Sequence, residues 1–349
     1  MIPYFLLLGY LSIFLIFSKN VKSDLFFYLS FFTLTIFSGL RFDVGVDFMS
    51  YNQMFEDFKN DSALFLFEPA NMMIINIINM LSIDYQVIFF IYSVIIMSGV
   101  FYFIKKLSPF KELSILLFVT VGIFYFSTFN GIRQWAAISI GLIAIVKLIE
   151  KKHIQFLILV ILATLFHLSA LLLFILIFFK IRFSKFYLIG IFLASIISIK
   201  FFIFLINNTK YSIYLDLLRF DSQGNSLLLM IYILALVYTL LFFKYFNKNN
   251  ILNTSEIVLL NMNLMSILVL IIGYIMKIDF LSLMRVNMYF QIQLIIFIPM
   301  MIYKLKNQQI RFMLMYLGVV FLFVYFFITI YKNGIIYNLV PYKHILYNL

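Results

Sequence analysis

Residues 86–104 read QVIFFIYSVIIMSGVFYFI, an uncharged run closed by Lys105 and Lys106. A helix needs about 20 apolar residues to cross a hydrocarbon core of about 30 Å, and this run has that length. Its apolar residues follow one another without the two-residue alternation of a barrel strand, so a helix is what satisfies its backbone in lipid. Comparable runs lie near 3–17, 25–39, 113–127, 132–147, 186–206, 226–243, 256–276, 286–303 and 312–330. The chain is therefore expected to be all-α, a polytopic membrane helix bundle.

Composition points the same way. Of 349 residues, 65% are hydrophobic, 20% aromatic and 11% charged, whereas a soluble domain carries about 25% charged residues. A soluble enzyme is excluded. With no cysteine, disulfides, thiolate nucleophiles and cysteine-ligated metals are excluded too. The formal charge of +12 is not gathered in any patch long enough to track a phosphate backbone, so no nucleic-acid partner is expected. Residues 1–17 lack a basic start and a small-residue cleavage site, and they read as a retained first helix.

Two segments resist counting as spans. Residues 69–83 are short, opened by Pro69 as a helix start and dotted with Asn71, Asn76 and Asn79. Residues 154–179 are long, with His167 and Ser169 in the middle. Lysine and arginine gather in cytoplasmic loops. The basic turns are Lys19/Lys22, Lys105/Lys106/Lys111, Lys147/Lys151/Lys152, Lys180/Arg182/Lys185, Lys244/Lys248 and Lys304/Lys306/Arg311. They share one side if 69–83 stays with the outer loop and 154–179 rises and returns as a hairpin. This places both termini outside, with about ten full spans and two re-entrant or half-crossing elements. Such elements should line a cavity, because irregular backbone at membrane depth needs cover. Neither a fixed-period repeat nor an inverted pair of broken helices is visible, so residues 1–349 read as a single domain.

Charges at the edge of a membrane segment are costly and mark candidate sites. The first is Gly39-Leu40-Arg41-Phe42-Asp43-Val44-Gly45-Val46-Asp47, continuing to Tyr51 in an acidic loop that includes Glu56, Asp57, Asp61 and Glu68. Arg41 offers a planar fork for phosphate or carboxylate, and Gly45 lets the backbone approach a ligand. Asp47 is either a base toward a sugar hydroxyl or the partner of Arg41. The second is Asn130-Gly131-Ile132-Arg133-Gln134-Trp135. With Asn130 as N-cap, Arg133 falls in a first helical turn, where a cation needs an anionic partner; a ligand phosphate would satisfy it. The alternative is an arginine snorkelling to the interface beside a belt tryptophan. The third is Phe166-His167-Leu168-Ser169-Ala170, where His167 sits at the hairpin apex, either as a packing residue or suited to proton transfer or a partial positive charge. The fourth is Arg285, with Asn287 and Tyr289. Arg219, with Asp216 and Asp221, reads as a solvated charge, and the tail around Pro341 and Tyr342 could dock over the site. No Walker loop, dinucleotide fingerprint or HExxH motif is present, so any donor must arrive activated.

In order and spacing, these motifs resemble the EpsG-like family of bacterial exopolysaccharide and O-antigen polymerases, the Wzy-type enzymes. Val46 departs from the small polar residue more often found there. The resemblance implies a GT-C-like membrane glycosyltransferase. It would polymerise undecaprenyl-pyrophosphate-linked oligosaccharide repeat units into O-antigen, capsule or exopolysaccharide at the outer face of the bacterial inner membrane. It further implies pyrophosphate binding by Arg41, Arg133 and Arg285, a base that is Asp47 or His167, and support from Gly45, Tyr51, Asn130 and Gln134. No metal or cofactor is expected. The implied partners are the lipid-linked oligosaccharide, the bilayer, and chain-length regulator and flippase proteins. The competing readings are a flippase or transporter of the same lipid-linked unit and a membrane O-acyltransferase.

Overall fold

The structure, a computed structural model, describes residues 1–21, 24–59, 68–182, 185–207, 230, 232–241, 252–278, 280–335 and 337–345. Among them the regular structure is helical, with one isolated bridge between Arg41 and His344. The elements begin with α1 (Ile2–Val21), α2 (Leu25–Gly39), α3 (Phe48–Lys59), α4 (Pro69–Met80) and α5 (Val87–Leu107). Then come α6 (Lys111–Thr120), a 3₁₀ turn (Phe126–Phe129), α7 (Ile132–Ile149), α8 (His153–Phe166) and a 3₁₀ arm (Leu168–Lys180). The chain continues with α9 (Lys185–Asn207), α10 (Tyr232–Leu241), α11 (Thr254–Ile275), α12 (Phe280–Gln291), α13 (Leu294–Tyr303) and α14 (Gln308–Asn333).

Four of these helices, α5, α7, α11 and α14, are individually long and apolar enough to cross a membrane. The pair α12 and α13, bent by 42°, makes a fifth if read as one broken span. The sequence suggested about ten. Two of the runs read from the sequence are interrupted. The run 113–127 is α-helical only to Thr120 and then turns through Phe124, whose N–H bonds to Val121. The run 286–303 is interrupted between Gln291 and Leu294, close to Pro299, which cannot donate to the carbonyl of Ile295. The other apolar helices span 10–17 described residues, and most of 226–243 lies outside the described residues.

Tight packing in the bundle centre uses small residues, as expected where lipid gives no hydrophobic drive between helices. A Cβ on Gly99 of α5 would lie 2.3 Å from the carbonyl oxygen of Ser139 on α7, and Ser93 Oγ donates to Thr35 O of α2 at 2.8 Å. Helix α14, by contrast, is only 17% buried over its span and presents its apolar side chains outward.

Contacts gather the described basic turns at one end of the bundle. Lys105 and Lys111 both reach Asp24, at 3.0 and 3.2 Å, and hold its carboxyl below the usual carboxylate range. Lys147 and Lys152 meet Glu150, Lys304 meets Glu256 at 2.8 Å, and Phe110 packs on Tyr303. Segment 154–179 is a hairpin: Lys180 Nζ at its end lies 3.4 Å from His153 Nε2 at its start. Its returning limb is a thirteen-residue 3₁₀ helix, longer than the usual three or four residues and about 26 Å end to end at 2.0 Å per residue. Helix α4, of 12 residues, is about 18 Å long and too short to cross. It buries Asn71, Ile75 and Ile78 and exposes Met73, Ile77 and Met80.

At the opposite end the C-terminal tail closes over the loop after α2. Phe42 N donates to Lys343 O at 3.0 Å and Ile345 N to Leu40 O at 3.1 Å. Tyr342 stacks on Phe37 at 4.2 Å, Lys343 pairs with Asp43, and the Tyr4 hydroxyl at the head of α1 donates to Leu339 O.

Candidate functional site

Two polar assemblies occupy the end away from the basic turns. The first is built on Arg41, which is buried with its guanidinium 4.8 Å from the ring centres of both Phe89 and Phe129. Its Nε donates to Val44 O at 3.2 Å, Nη2 to Phe129 O at 3.2 Å, and Nη1 to Ser38 O. Tyr51 stands edge-on to Phe89 at 6.2 Å. The fork that the sequence offered to a phosphate is thus spent on main-chain carbonyls, and it fastens the end of α2 to the start of α7.

Asp47 faces the same junction rather than Arg41. Its Oδ2 accepts from Gly131 N at 2.8 Å, while its own N donates to Asn130 Oδ1 at 3.4 Å. Gly131 holds the N-cap position of α7. The anion at that helix N-terminus is therefore Asp47, where the sequence suggested Asn130 as cap and a ligand phosphate as anion. Gly45 lets the two loops cross. Its φ is +102°, and an added Cβ would meet Phe129 O at 2.8 Å and Asn130 Oδ1 at 3.0 Å. Gly45→Ala is expected to cost about 1–3 kcal/mol through strain and clash, seen as a lowered thermal midpoint of the purified protein; an unchanged midpoint would refute the crossing.

The second assembly centres on Arg133, in the first turn of α7. The anionic partner that its position demands is Glu68, at 2.7 Å. Glu68 Oε2 also accepts from Asn71 Nδ2 at 3.0 Å; that nitrogen donates on to Phe166 O at 2.9 Å, and the Tyr92 hydroxyl donates to Asn71 Oδ1. The start of α4, the second turn of α5, the end of α8 and the start of α7 meet here. Trp135 is 2% exposed, a core residue and not a belt residue.

His167, half-buried, follows directly on Phe166. Its Nδ1 accepts from Ser169 N at 3.3 Å and lies 2.7 Å from Ser169 Oγ, which is 2.8 Å from the Tyr289 hydroxyl. Gln134, in the first turn of α7, donates through Nε2 to Arg285 O at 2.8 Å. The side chain of Arg285 is exposed.

The structure thus divides the residues singled out from the sequence. Arg133 is linked through Glu68 and Asn71 to the carbonyl of Phe166 beside His167, and Gln134 bonds the main chain of Arg285; Arg41, Gly45, Tyr51, Asp47 and Asn130 lock the junction that carries Arg133. Glu68, Asn71 and Tyr92 were not singled out. The one local signal is the spacing of Glu68 and Asn71 around Pro69, which sets both on one side of a helix start. Arg219, Asp216 and Asp221 lie outside the described residues.

A polytopic helical membrane protein with arginines and a histidine gathered at the face opposite its basic turns is the class so defined. The EpsG family model matches residues 24–344, and the chain belongs to the EpsG family, that of exopolysaccharide and Wzy-like polymerases. No curated protein and no solved structure matches it.

Proposed function

We propose that the protein is a GT-C-like glycosyltransferase. It polymerises oligosaccharide repeat units carried on undecaprenyl pyrophosphate, at the outer face of the bacterial inner membrane. The observation that carries this reading is the Arg133–Glu68 pair, tied through Asn71 to the carbonyl of Phe166, the residue next to His167. Fixed cations stabilise a pyrophosphate as it leaves, and this is transition-state charge stabilisation. Family membership supports the polymer-forming chemistry. Arg41 enters this reading as a positioning residue, since its donors are held by carbonyls.

The test is incubation of purified protein with a defined lipid-linked repeat unit. A ladder of lengthening products is the expected result; transbilayer movement of the unit without a ladder would refute polymerisation. A transporter reading has one observation in its favour: buried Gln293 at the α12–α13 break donates to Asn263, which donates to Thr239. Broken helices with polar residues at mid-depth are a transporter trait. A deletion strain separates the two, since loss of a polymerase leaves single repeat units on the surface acceptor and loss of a flippase leaves none.

A further inference from the structure

Residue His167 occupies the N-cap position of the 3₁₀ arm, and its Nδ1 accepts the main-chain N–H of Ser169 at 3.3 Å. A main-chain N–H only donates, so Nδ1 must carry its lone pair. In a neutral imidazole the proton then sits on Nε2, at the opposite edge of the ring. The nearby Ser169 Oγ, 2.7 Å from Nδ1 and 2.8 Å from the Tyr289 hydroxyl, braces the same edge. Such a ring presents an N–H and no basic lone pair on its outward edge.

The candidate carboxylates are Asp47 and Glu68. Asp47 Oδ2 is held by Gly131 N at 2.8 Å. Glu68 takes both Arg133 Nη1, at 2.7 Å, and Asn71 Nδ2, at 3.0 Å, on Oε2, which leaves Oε1 to accept a proton.

Resting on the polymerase reading, we propose a division of labour: His167 donates a hydrogen bond through Nε2 to the departing phosphate, and Glu68 is the base. In the step, the bond between the anomeric carbon of the growing glycan and its phosphate oxygen breaks, and the electron pair leaves with the pyrophosphate. The acceptor hydroxyl oxygen forms the new bond to that carbon, and its proton passes to Glu68. Arg133, Arg285 and the Nε2–H of His167 hold the negative charge that departs. An arriving phosphate competes with Glu68 for Arg133, which releases the carboxylate as the anion is bound.

Two substitutions at one position test the donor role. The side-chain amide of His167→Gln reaches where Nε2 stands and donates without being basic. His167→Asn keeps an acceptor for Ser169 N but lacks the reach. We expect His167→Gln to retain about a tenth of the ladder-forming rate and His167→Asn to lose about a hundredfold, the typical scale for one missing donor. Equal loss in both, with unchanged thermal midpoints, would overturn the donor role. Glu68→Gln should lose about a hundredfold or more, as for a general base, and an active Glu68→Gln would overturn its assignment. The chain has three histidines, so nitrogen-15 spectra of histidine-labelled protein, with His167→Gln as the difference, read the tautomer without any activity. A ring protonated on Nε2 is expected, and one protonated on Nδ1 would overturn the proposal. A wild-type protein that forms no ladder would instead strike the polymerase reading, and the spectrum would still decide the tautomer.

Discussion

Replacing Arg133 with alanine is expected to cut polymerisation by about a hundredfold or more while the protein still inserts and folds. The magnitude is that of removing one preorganised donor from developing negative charge, about 10²–10³ in rate. The guanidinium is placed for the task. It sits in the first turn of α7, a position unfavourable to a cation, and is kept there by Glu68 at 2.7 Å. Its side chain is 13% exposed and that of Glu68 is 21% exposed, so truncation leaves a mostly buried carboxylate without its cation and costs up to about 3–5 kcal/mol. Truncation should therefore lower the thermal midpoint measurably without abolishing the fold, and activity is compared per amount of folded protein. Chain-length ladders from the purified variant check the claim. Normal ladders would remove Arg133 from the chemistry.

Replacing Arg41 with alanine should do the opposite, abolishing the folded protein rather than its chemistry alone. The change leaves the carbonyls of Ser38, Val44 and Phe129 without their donor in a buried site. Each such orphan costs about 1–3 kcal/mol. The rings of Phe89 and Phe129 lose the cation between them as well, a further contribution of about 1–2 kcal/mol. Against a typical net stability of about 5–15 kcal/mol, the sum should leave little monodisperse protein in detergent. Lysine should not rescue it, because a point charge on a flexible stem cannot bridge three acceptors set around a planar fork. Gel filtration and thermal melting of Arg41→Ala and Arg41→Lys make the measurement. A stable, folded and inactive Arg41→Lys would return Arg41 to the ligand.

The two arginines look alike in the sequence: each stands at the end of an apolar run beside a glycine and an amide or carboxylate. What separates them is which groups arrive from elsewhere in the chain. Phe89 and Phe129 close around Arg41 from α5 and the 3₁₀ turn, and no local pattern announces this. Asp47 likewise reads as a free carboxylate, yet it is turned to the N–H of Gly131 because the crossing at Gly45 brings 45–47 against 129–131. Glu68 was legible only as one more charge in an acidic loop until Arg133, sixty-five positions on, needed a partner. The hairpin at 154–179 was more open to sequence reading. The basic turns required a reversal near His167, and the meeting of His153 with Lys180 is that reversal.

The sequence by itself determined that the chain is helical and lives in a membrane, because long apolar runs leave the backbone no other way to satisfy its hydrogen bonds. It also determined which turns share a face, because lysines and arginines are sorted by side. The tertiary structure alone decided which groups satisfy each buried polar residue. A buried donor or carboxylate is defined by the groups that satisfy it. For Arg41, Asp47 and Glu68 those groups include carbonyls, N–H groups and a guanidinium from other helices and loops, brought to 2.7–3.4 Å only once the bundle is packed.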